Sequence, residues 1–486
     1  MIKRELEQLE PKNIWSIFKD ITKVPRASKK EEKIRKWIKN WAEKNNVTIL
    51  KEDSAGNILL TKEATKDCEK YPTLVIQAHM DMVCQKEPET KIDFDNDPLE
   101  LVIDDKIVKA KGTSLGADNG IGMAFGLAAL SSDNLLHGPL EVLFTVDEET
   151  GLTGAFAIKS GFFSGKYLLN VDSESVGTIT ISSAGGGGTD FDLPIKFEKY
   201  NKMKGILLKI SGLQGGHSGV DIDLPRLNAI KIGIDALIQL QQIEFYLNKM
   251  NAGTVHNAIP RDCEIEFLVP EKGFKKIKKI LTAWKEQTIK IGRKTEPNLK
   301  IEIIESLTND GLPQTITNSV VSLLNEIFHG PISFSKEIPG LVQTSNNLAV
   351  VKTTNEKIHI HVSTRSSVEE ELQTAREVLK TLGEKYSFKI TFDEAYPGWK
   401  PDPNSSFILM VKKLYEEVVE KKVELQAIHG GLECGLFSAL DSELQIASIG
   451  PNIKNAHSPD EYVEIESVNI LWNIIKKVIE NMGTLV

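Results

Sequence analysis

Short, nearly continuous apolar runs recur in the first third of the chain, and acidic or imidazole residues follow each of them. The runs are Leu74–Ala78, Leu140–Val146 and Tyr167–Val171. Such runs predict strands that are buried on both faces, and Gly120–Leu130 between them predicts a helix rich in small residues. This alternation predicts an α/β domain whose mixed, largely parallel sheet is covered by helices.

An amphipathic helix is predicted ahead of these strands. Ile34, Trp37, Ile38 and Trp41 recur at helical spacing, and Ser28 is a candidate N-cap.

The middle of the chain has a different pattern, with alternating strands followed by helices. Cys263–Val269 precedes the helix-like 274–284, and Ile358–Thr364 precedes 369–382. This repeat predicts an inserted α+β domain with two similar halves. The run Gly185–Gly188 and the Pro-rich segment 396–403 are interpreted as crossings between domains. We therefore expect residues 1–186 and 396–486 to form one discontinuous domain, and 187–395 to form an inserted lid.

Composition limits the possible partners of the protein. The 486 residues carry a net charge of -9, which argues against binding of nucleic acid. No run approaches the ~20 apolar residues of a membrane span, and the charged N-terminus does not resemble a signal peptide, so we expect a cytoplasmic protein that does not bind membranes. The four cysteines lack paired spacing and are expected to be reduced.

The polar residues after the strands have the chemistry of metal ligands. Asp118 and His457, from loops rich in Gly or Pro, join those that follow the strands: His79, Asp81, Glu148, Glu149 and Asp172. Carboxylates and imidazoles gathered at strand ends predict a binuclear hydrolytic metal site. Cys84, near His79, is a candidate thiolate ligand, but this interpretation is disfavoured because neighbouring residues already supply enough oxygen and nitrogen ligands.

Five ordered motifs carry a family resemblance that spans the chain. They are His79-Met-Asp-Met-Val, Gly116-Ala-Asp-Asn-Gly-Ile-Gly, Thr145-Val-Asp-Glu-Glu-Thr-Gly, Asn170-Val-Asp-Ser-Glu and Ala456-His-Ser-Pro-Asp-Glu. In this order they resemble the motifs of zinc-dependent dipeptidases in the aminoacylase and carnosinase superfamily.

The resemblance implies a role for each residue of the site. Asp118 bridges two divalent metal ions, Zn²⁺ or alternatively Mn²⁺ or Co²⁺, and its peptide bond to Asn119 is cis. The remaining ligands are His79 and Asp172 for one metal, and Glu149 and His457 for the other. Glu148 is the general base that activates the attacking water. Asp81, two residues beyond His79, is expected to accept a hydrogen bond from its imidazole.

Substrate recognition is expected mainly from the insertion. Arg365 has the planar fork that clamps a carboxylate, and Asn257 is implied beside it. His217 lies in a Gly-rich loop from which it could donate to an oxyanion. Outside the insertion, Glu433 is expected near the substrate's amino group.

His359 and His361 have the spacing of a metal-binding pair. We favour a non-metal interpretation, because no carboxylate cluster accompanies them in the sequence.

These assignments imply hydrolysis of dipeptides, particularly those that end in histidine, such as β-alanyl-histidine. An N-acyl amino acid deacylase with the same metal site is the alternative. A non-catalytic binding protein is disfavoured, because every ligand and Glu148 are present. The resemblance further implies a homodimer.

Overall fold

The computed structural model describes residues 6–336 and 338–485. The helices, in chain order, are α1 (Lys12–Ile21), α2 (Glu32–Lys44), α3 (Ala117–Ser131), α4 (Glu148–Gly151), α5 (Thr153–Ala157), α6 (Ala229–Ile238), α7 (Phe274–Gly292), α8 (Gln314–Glu326), α9 (Glu369–Lys385), α10 (Ser406–Val419), α11 (Glu433–Leu440) and α12 (Ile465–Asn481). Short 3-10 helices span Leu6–Gln8 and Met482–Leu485.

The strands are β1 (Thr48–Glu52), β2 (Ile58–Lys62), β3 (Leu74–His79), β4 (Leu101–Asp104), β5 (Ile107–Ala110), β6 (Leu140–Thr145), β7 (Tyr167–Asn170), β8 (Thr178–Ser183), β9 (Gly185–Pro194), β10 (Glu198–Lys199), β11 (Met203–Ser211), β12 (Tyr246–Ala252), β13 (Cys263–Pro270), β14 (Lys300–Ser306), β15 (Asp310–Gly311), β16 (Gly330–Phe334), β17 (Val342–Thr353), β18 (Lys357–Ser366), β19 (Lys389–Phe392), β20 (Glu424–Ile428), β21 (Gln445–Ser448), β22 (Ile453–Lys454) and β23 (Tyr462–Glu464).

The chain forms two compact units. The first contains the described residues of Met1–Ser182, Pro401–Ala427 and Leu432–Val486, and the second contains Ser183–Lys400 and Ile428–Gly431. Within the described residues, no helix is both long and apolar enough to cross a membrane.

The first unit is built on an eight-stranded mixed sheet of order β1-β2-β6-β3-β7-β21-β8-β20. Its central strands β6, β3, β7 and β21 are mutually parallel. Every residue of β3 and β6 is buried, as their unbroken apolar character predicts. A four-stranded sheet of order β22-β23-β5-β4 completes the unit.

Two helices show how sequence sets the packing of this sheet. The small residues of α3 allow close approach: a Cβ at Gly126 would lie 2.7 Å from Cγ1 of Val142 on β6. Helix α2 buries Ile34 and Ile38, as its period predicts. It begins at Glu32, however, so the expected N-cap role of Ser28 is wrong; that hydroxyl donates to Asp81 instead.

The second unit is built on a nine-stranded antiparallel sheet whose path is β14-β11-β13-β12-β17-β18-β9-β19, with β16 paired to β17. Strands β11 to β14 with α6 and α7 form one half. The other half consists of β9, β17, β18 and β19 with α8 and α9, and it has the same spatial order. The two halves meet where β12 pairs with β17.

The boundary between the units lies between Ser182 and Ser183, just before the glycine run 185–188 that we expected to form a crossing. The run itself is part of strand β9 and does not provide a flexible link. Its glycines are required by close approach of the chain: a Cβ at Gly185 would lie 2.4 Å from the carbonyl oxygen of Tyr396. A glycine here therefore admits a neighbouring backbone rather than providing freedom of rotation.

Candidate metal centre

The candidate residues of the first unit gather at one edge of its sheet. His79 is the last residue of β3, Glu148 and Glu149 begin α4 just beyond β6, and Asp172 follows β7 by two residues. These three strands are parallel and adjacent, so their carboxyl ends open at the same edge. His457 reaches the cluster from a loop in the left-handed conformation, with φ of 62°.

The ligand atoms fall into two groups that share Asp118. In the first, His79 Nε2 lies 3.0 Å from Asp118 Oδ1 and 3.2 Å from Asp172 Oδ1. In the second, His457 Nε2 lies 3.2 Å from Asp118 Oδ2 and 2.9 Å from Glu149 Oε2. Each group brings one ligand atom per residue within 4.8 Å of the others. Asp118 therefore directs one oxygen to each group, as a bridging carboxylate does.

The turn that presents Asp118 is held from below by Glu461. This buried carboxylate accepts hydrogen bonds from the backbone amides of Leu115, Gly116 and Ala117 at 2.7 to 2.8 Å. The peptide bond between Asp118 and Asn119 is cis, which confirms the expectation. The side-chain amide of Asn119 donates to Asp172, so the residue after Asp118 also orients the Asp172 carboxylate.

Asp81 braces the cluster from the side of β3. Its Oδ1 lies 3.3 Å from His79 Nδ1, the ring nitrogen that faces away from the ligand groups. Its carboxylate also accepts hydrogen bonds from Ser28 and from the backbone amides of Glu148 and Glu149 at 2.8 to 3.2 Å. His79 Nδ1 is buried without a hydrogen-bond partner, so Asp81 lies against the imidazole without the hydrogen bond that we expected, while its hydrogen bonds fix the start of α4.

Arg26 is the buried cation beneath these loops. Its guanidinium donates to the carbonyl oxygens of Met80 and Asp81 at 3.1 and 2.8 Å, and to that of Gly116. Burial lowers the pKa of Arg26, although the charges of the nearby Glu461 and Asp81 carboxylates act to raise it. The side chain ties the end of β3 to the turn that carries Asp118.

Burial raises the pKa of most carboxyl groups in the cluster. It raises that of Glu148 well above its usual range and, with the charge of Asp118, raises that of Glu149 to about 7. Burial also raises the pKa of nearby Glu174 to about 7. Burial opposes ionisation of Asp118 too, but its contacts with His457 and His79 hold its pKa below the usual range.

The cluster has the donor chemistry and the electrostatic need of a site for divalent cations. The Oε1 atom of Glu149 is buried without a hydrogen-bond partner. Hydrogen bonds to Asp118 and Glu149 raise the pKa of His457 to about 11, and neighbouring carboxylates raise that of His79, so the imidazoles supply positive charge to the cluster. Divalent cations would supply that charge and lower the carboxyl pKa values again. Three carboxylates and two imidazoles fit two such ions.

Glu433 lies close to this cluster, at the start of α11. One carboxyl oxygen accepts hydrogen bonds from Gln77 Nε2 at 2.7 Å and Thr145 Oγ1 at 2.8 Å, while Oε1 is buried without a partner. Burial raises the pKa of Glu433 to about 8, and its charge in turn raises that of Glu148. An ammonium group beside Oε1 would stabilise the carboxylate form.

The other candidates for substrate binding lie in the second unit. Arg365 is nearly buried on β18, and its Nη1 donates to the Tyr396 hydroxyl at 3.1 Å. His217 lies close enough to Arg365 that burial and this charge together lower its pKa. The backbone carbonyl of Asn257 accepts a hydrogen bond from the backbone amide of Ser218 at 2.8 Å, which places the loops of His217 and Asn257 side by side. No side-chain hydrogen bond of Asn257 is found within the described residues.

The expectation that no carboxylates accompany His359 and His361 is wrong. Carboxylates do accompany them: His359 Nδ1 lies 2.9 Å from Asp192 Oδ1, and His361 Nδ1 lies 2.7 Å from Asp190 Oδ1. Strand pairing places these aspartates opposite the histidines across about 170 residues of chain, which the sequence does not reveal.

Some supporting residues were missed by the sequence argument. Glu461 belongs to the motif that begins at Ala456, but no role was assigned to it. Its place in that motif could have indicated that it supports the site. Arg26 lies outside every motif, in an ordinary turn before α2, and no local pattern marks it as buried.

Comparison with known proteins identifies several relatives of this chain. The model of "Peptidase family M20/M25/M40" matches residues 75–481. The cytosol non-specific dipeptidase of Escherichia coli K12 is 37% identical over 484 residues, which is 98% of this chain and 99% of the relative. The crystal structure of aminoacylhistidine dipeptidase from Vibrio alginolyticus matches with a TM-score of 0.90 and 35% identity over 98% of each chain. Aminopeptidase PepT from Bacillus cereus, at 17% identity over 98% of this chain and 99% of its own, shares the fold with a TM-score of 0.57.

Proposed function

Because the chain belongs to peptidase family M20/M25/M40, we propose that it hydrolyses the peptide bond of dipeptides with two bound divalent cations. The observation that carries this proposal is the pair of ligand groups that share Asp118, with Glu148 beside them at the same sheet edge. The names of the E. coli and V. alginolyticus relatives support dipeptides as the substrate class. We propose dipeptides that end in histidine within a broader range.

The ligand sets follow from the two groups. His79 and Asp172 would hold one cation, Glu149 and His457 would hold the other, and Asp118 would contact both. When bound, such cations lower the pKa of water and polarise the scissile carbonyl group. Zn²⁺, Mn²⁺ and Co²⁺ all suit these ligands, and we propose Zn²⁺.

Glu148 is proposed to move the proton in this reaction. Its carboxylate has an oxygen within 4.8 Å of ligand atoms of His79 and Glu149, but no ion pair joins it to an imidazole as one joins Asp118, Glu149 and His457, and burial keeps its affinity for a proton high. As general base it would take a proton from the attacking water, and as general acid it would return that proton to the leaving amine. Asp81 would act through His79, by holding the imidazole in position.

Two separate groups are proposed to recognise the ends of the substrate. Arg365 suits the terminal carboxylate because guanidinium and carboxylate pair in two parallel hydrogen bonds. Its Nε is buried and unpaired, and neighbouring His217 has a lowered pKa, so this imidazole is neutral at pH 7 and adds no repulsion to the guanidinium. Asn257 is proposed as a further donor. Glu433, with one unpaired oxygen, is proposed to bind the substrate's amino group.

A substrate comparison tests this proposal directly. The chain is stripped of metal, reconstituted with Zn²⁺, Mn²⁺ or Co²⁺, and assayed on dipeptides ending in histidine, other dipeptides, tripeptides and N-acetyl amino acids. We expect turnover of dipeptides with the histidine series preferred, and little turnover of tripeptides. Preferred cleavage of the acetylated compounds would establish the deacylase alternative instead.

Location and assembly stay predictions. The E. coli relative is named for the cytosol, and we propose the same location for this chain. We propose a homodimer, and a measurement of molecular mass in solution tests this proposal.

A further inference from the structure

A second cluster of imidazole and carboxylate groups lies on the sheet of the second unit. His359 and His361 are on the face of β18 opposite the core, because the residues that alternate with them are buried: Ile358, Ile360 and Val362. Strand β9 pairs with β18 so that Asp192 stands opposite His359, and Asp190 stands opposite His361. Cross-strand partners on one face are close enough for their side chains to interact.

A third strand brings another carboxylate to this face. Strand β19 pairs with the other edge of β9, and Asp393 follows its last residue. The backbone amide of Asp393 donates to the carbonyl oxygen of Gly188 at 3.1 Å, which fixes its position. One ligand atom from each of Asp190, His361 and Asp393 lies within 4.8 Å of the others. Three adjacent strands thus hold three ligand groups in place.

Gly188 leaves the space in which these groups meet. A Cβ on this residue would lie 2.2 Å from Asp393 Oδ2 and 2.6 Å from His361 Cε1. Both distances are far below an ordinary contact, so any other amino acid would push the carboxylate and the imidazole apart. The cluster therefore depends on a glycine in the middle of a strand, where glycine otherwise weakens the sheet.

We propose that Asp190, His361 and Asp393 bind one divalent transition-metal ion of the Zn²⁺ type, separate from the cations of the first unit. One imidazole nitrogen and two carboxylate oxygens suit this class, whereas Mg²⁺ and Ca²⁺ prefer oxygen ligands alone. The side chains of His361 and Asp190 are 13% and 26% exposed, so water can reach a remaining coordination position. The cation would neutralise the two carboxylates.

The neighbouring positive charges leave these carboxylates available. Arg376 stacks over Phe392 at 4.5 Å, and its Nη2 donates to the backbone carbonyl oxygens of Gly188 and Asp393 at 3.1 and 2.6 Å. Its hydrogen bonds therefore do not use the Asp393 carboxylate.

The adjacent pair on the same face is already satisfied. Asp192 forms an ion pair with Lys357 at 2.8 Å in addition to its contact with His359 at 2.9 Å. His359 Nε2 also lies 3.6 Å from Asp190 Oδ1, a longer contact than the 2.7 Å between Asp190 Oδ1 and His361 Nδ1. Because Lys357 already pairs with Asp192, we do not expect Asp192 and His359 to bind a cation.

Metal stoichiometry of the full chain tests the proposal without reference to catalysis. The protein is dialysed against a chelator and then against buffered free Zn²⁺, and bound zinc per chain is counted by atomic absorption. We expect the variants Asp393→Asn and His361→Gln each to bind one ion fewer than the unchanged protein. Gly188→Ala keeps all three ligands but fills their meeting place, and we expect it to lose the same ion.

Two controls separate this site from the other possibilities. His359→Gln, on the same strand face, should bind as many ions as the unchanged protein, with circular dichroism verifying the fold of each variant. Asp118→Asn, which removes the shared ligand of the first unit, should retain the ion of the second unit. Equal zinc content in the unchanged protein, Asp393→Asn and His361→Gln would overturn the proposal, as would an Asp118→Asn protein that binds no zinc.

Discussion

The imidazoles of the candidate metal centre and those near Arg365 respond to their surroundings in opposite directions. In the first unit, burial opposes protonation of His79, but neighbouring carboxylates outweigh it and raise its pKa well above the usual value; carboxylates also raise the pKa of His457 to about 11. In the second unit, burial and the charge of Arg365 lower the pKa of His217, and lower that of His429 to about 3.

This contrast shows a division of chemistry between the units. The first concentrates buried negative charge around its imidazoles, which favours metal cations. The second places neutral imidazoles around one guanidinium, which leaves a positive charge available to an anionic group. The cluster in the first unit has negative charge that cations would balance. The cluster in the second unit has a guanidinium charge that a carboxylate would balance. The two deficits match the metals and the substrate that we propose.

Replacing Asp118 with asparagine breaks the first half of this contrast most severely. Asp118 contacts His79 with one oxygen and His457 with the other, so one substitution removes a ligand from both groups. We expect the first unit to lose both cations and the rate of dipeptide hydrolysis to fall by at least about 10³-fold. Metal analysis and a steady-state assay measure the two effects.

The control for this variant is Asp460→Asn, three residues beyond His457, where an exposed carboxylate is removed. Its metal content and activity should be unchanged. An Asp118→Asn protein that kept both metals and its activity would show that Asp118 is not shared between the two groups.

Replacing Glu148 with glutamine separates the chemistry from the metals. The amide cannot accept the proton, but it has nearly the same shape and leaves the ligand contacts of Glu149 intact. We expect unchanged metal content and a 10²- to 10⁴-fold lower turnover number, the usual range for the loss of a general base. The adjacent variant Glu149→Gln should instead lose metal. Full activity of Glu148→Gln would exclude the proposed proton transfer.

Much of the fold follows from local patterns along the chain. Continuous apolar runs predict β3, β6 and β7 within about two residues of their observed ends, because strands buried on both faces have no polar alternation. The glycines 185–188 were misread, because the sequence does not show that the backbone at Tyr396 packs against them.

The candidate metal centre was predictable for a different reason. Its residues follow parallel strands, whose ends converge at one edge whatever the exact register. The cluster around His361 depends on the pairing of β18, β9 and β19, and a shift of one residue would turn Asp190 to the opposite face. Register is set by contacts between distant segments, so the sequence alone could not bring Asp190 and Asp393 to His361.

Asp81→Asn tests how far the first cluster depends on its bracing. The amide removes the negative charge beside His79 Nδ1 and presents one donor to the backbone amides of Glu148 and Glu149, which need an acceptor. We expect the affinity for the metals to fall about 10- to 100-fold, as for other groups that orient a metal ligand. Competition with a chelator of known affinity measures the change.

Ser28→Ala should perturb Asp81 less than Asp81→Asn does. It removes one hydrogen bond to Asp81 at 2.8 Å and leaves the charge. Its effect on metal affinity should therefore be smaller than that of Asp81→Asn. Equal effects of the two variants would mean that the hydrogen-bond network, and not the charge, sets the affinity.

The smallest expected effect concerns His429, and it tests the second half of the contrast. Burial holds the pKa of His429 at about 3 in the folded chain, against 6.5 for the ordinary side chain. Between these values the unfolded state binds more protons, so this group lowers the free energy of unfolding as pH falls from 6.5, by up to about 1.4 kcal/mol per pH unit. His429→Gln removes this dependence, and its melting temperature should decrease less than that of the unchanged protein between pH 7 and pH 5. Ser345→Ala removes only the partner that lies 2.7 Å from His429 Nε2, so it should keep the steeper decrease. Parallel decreases in all three proteins would show that His429 does not stay neutral in the folded chain, and the contrast between the two sets of imidazoles would then rest on His217 and His256, whose pKa values burial and the charge of Arg365 also lower.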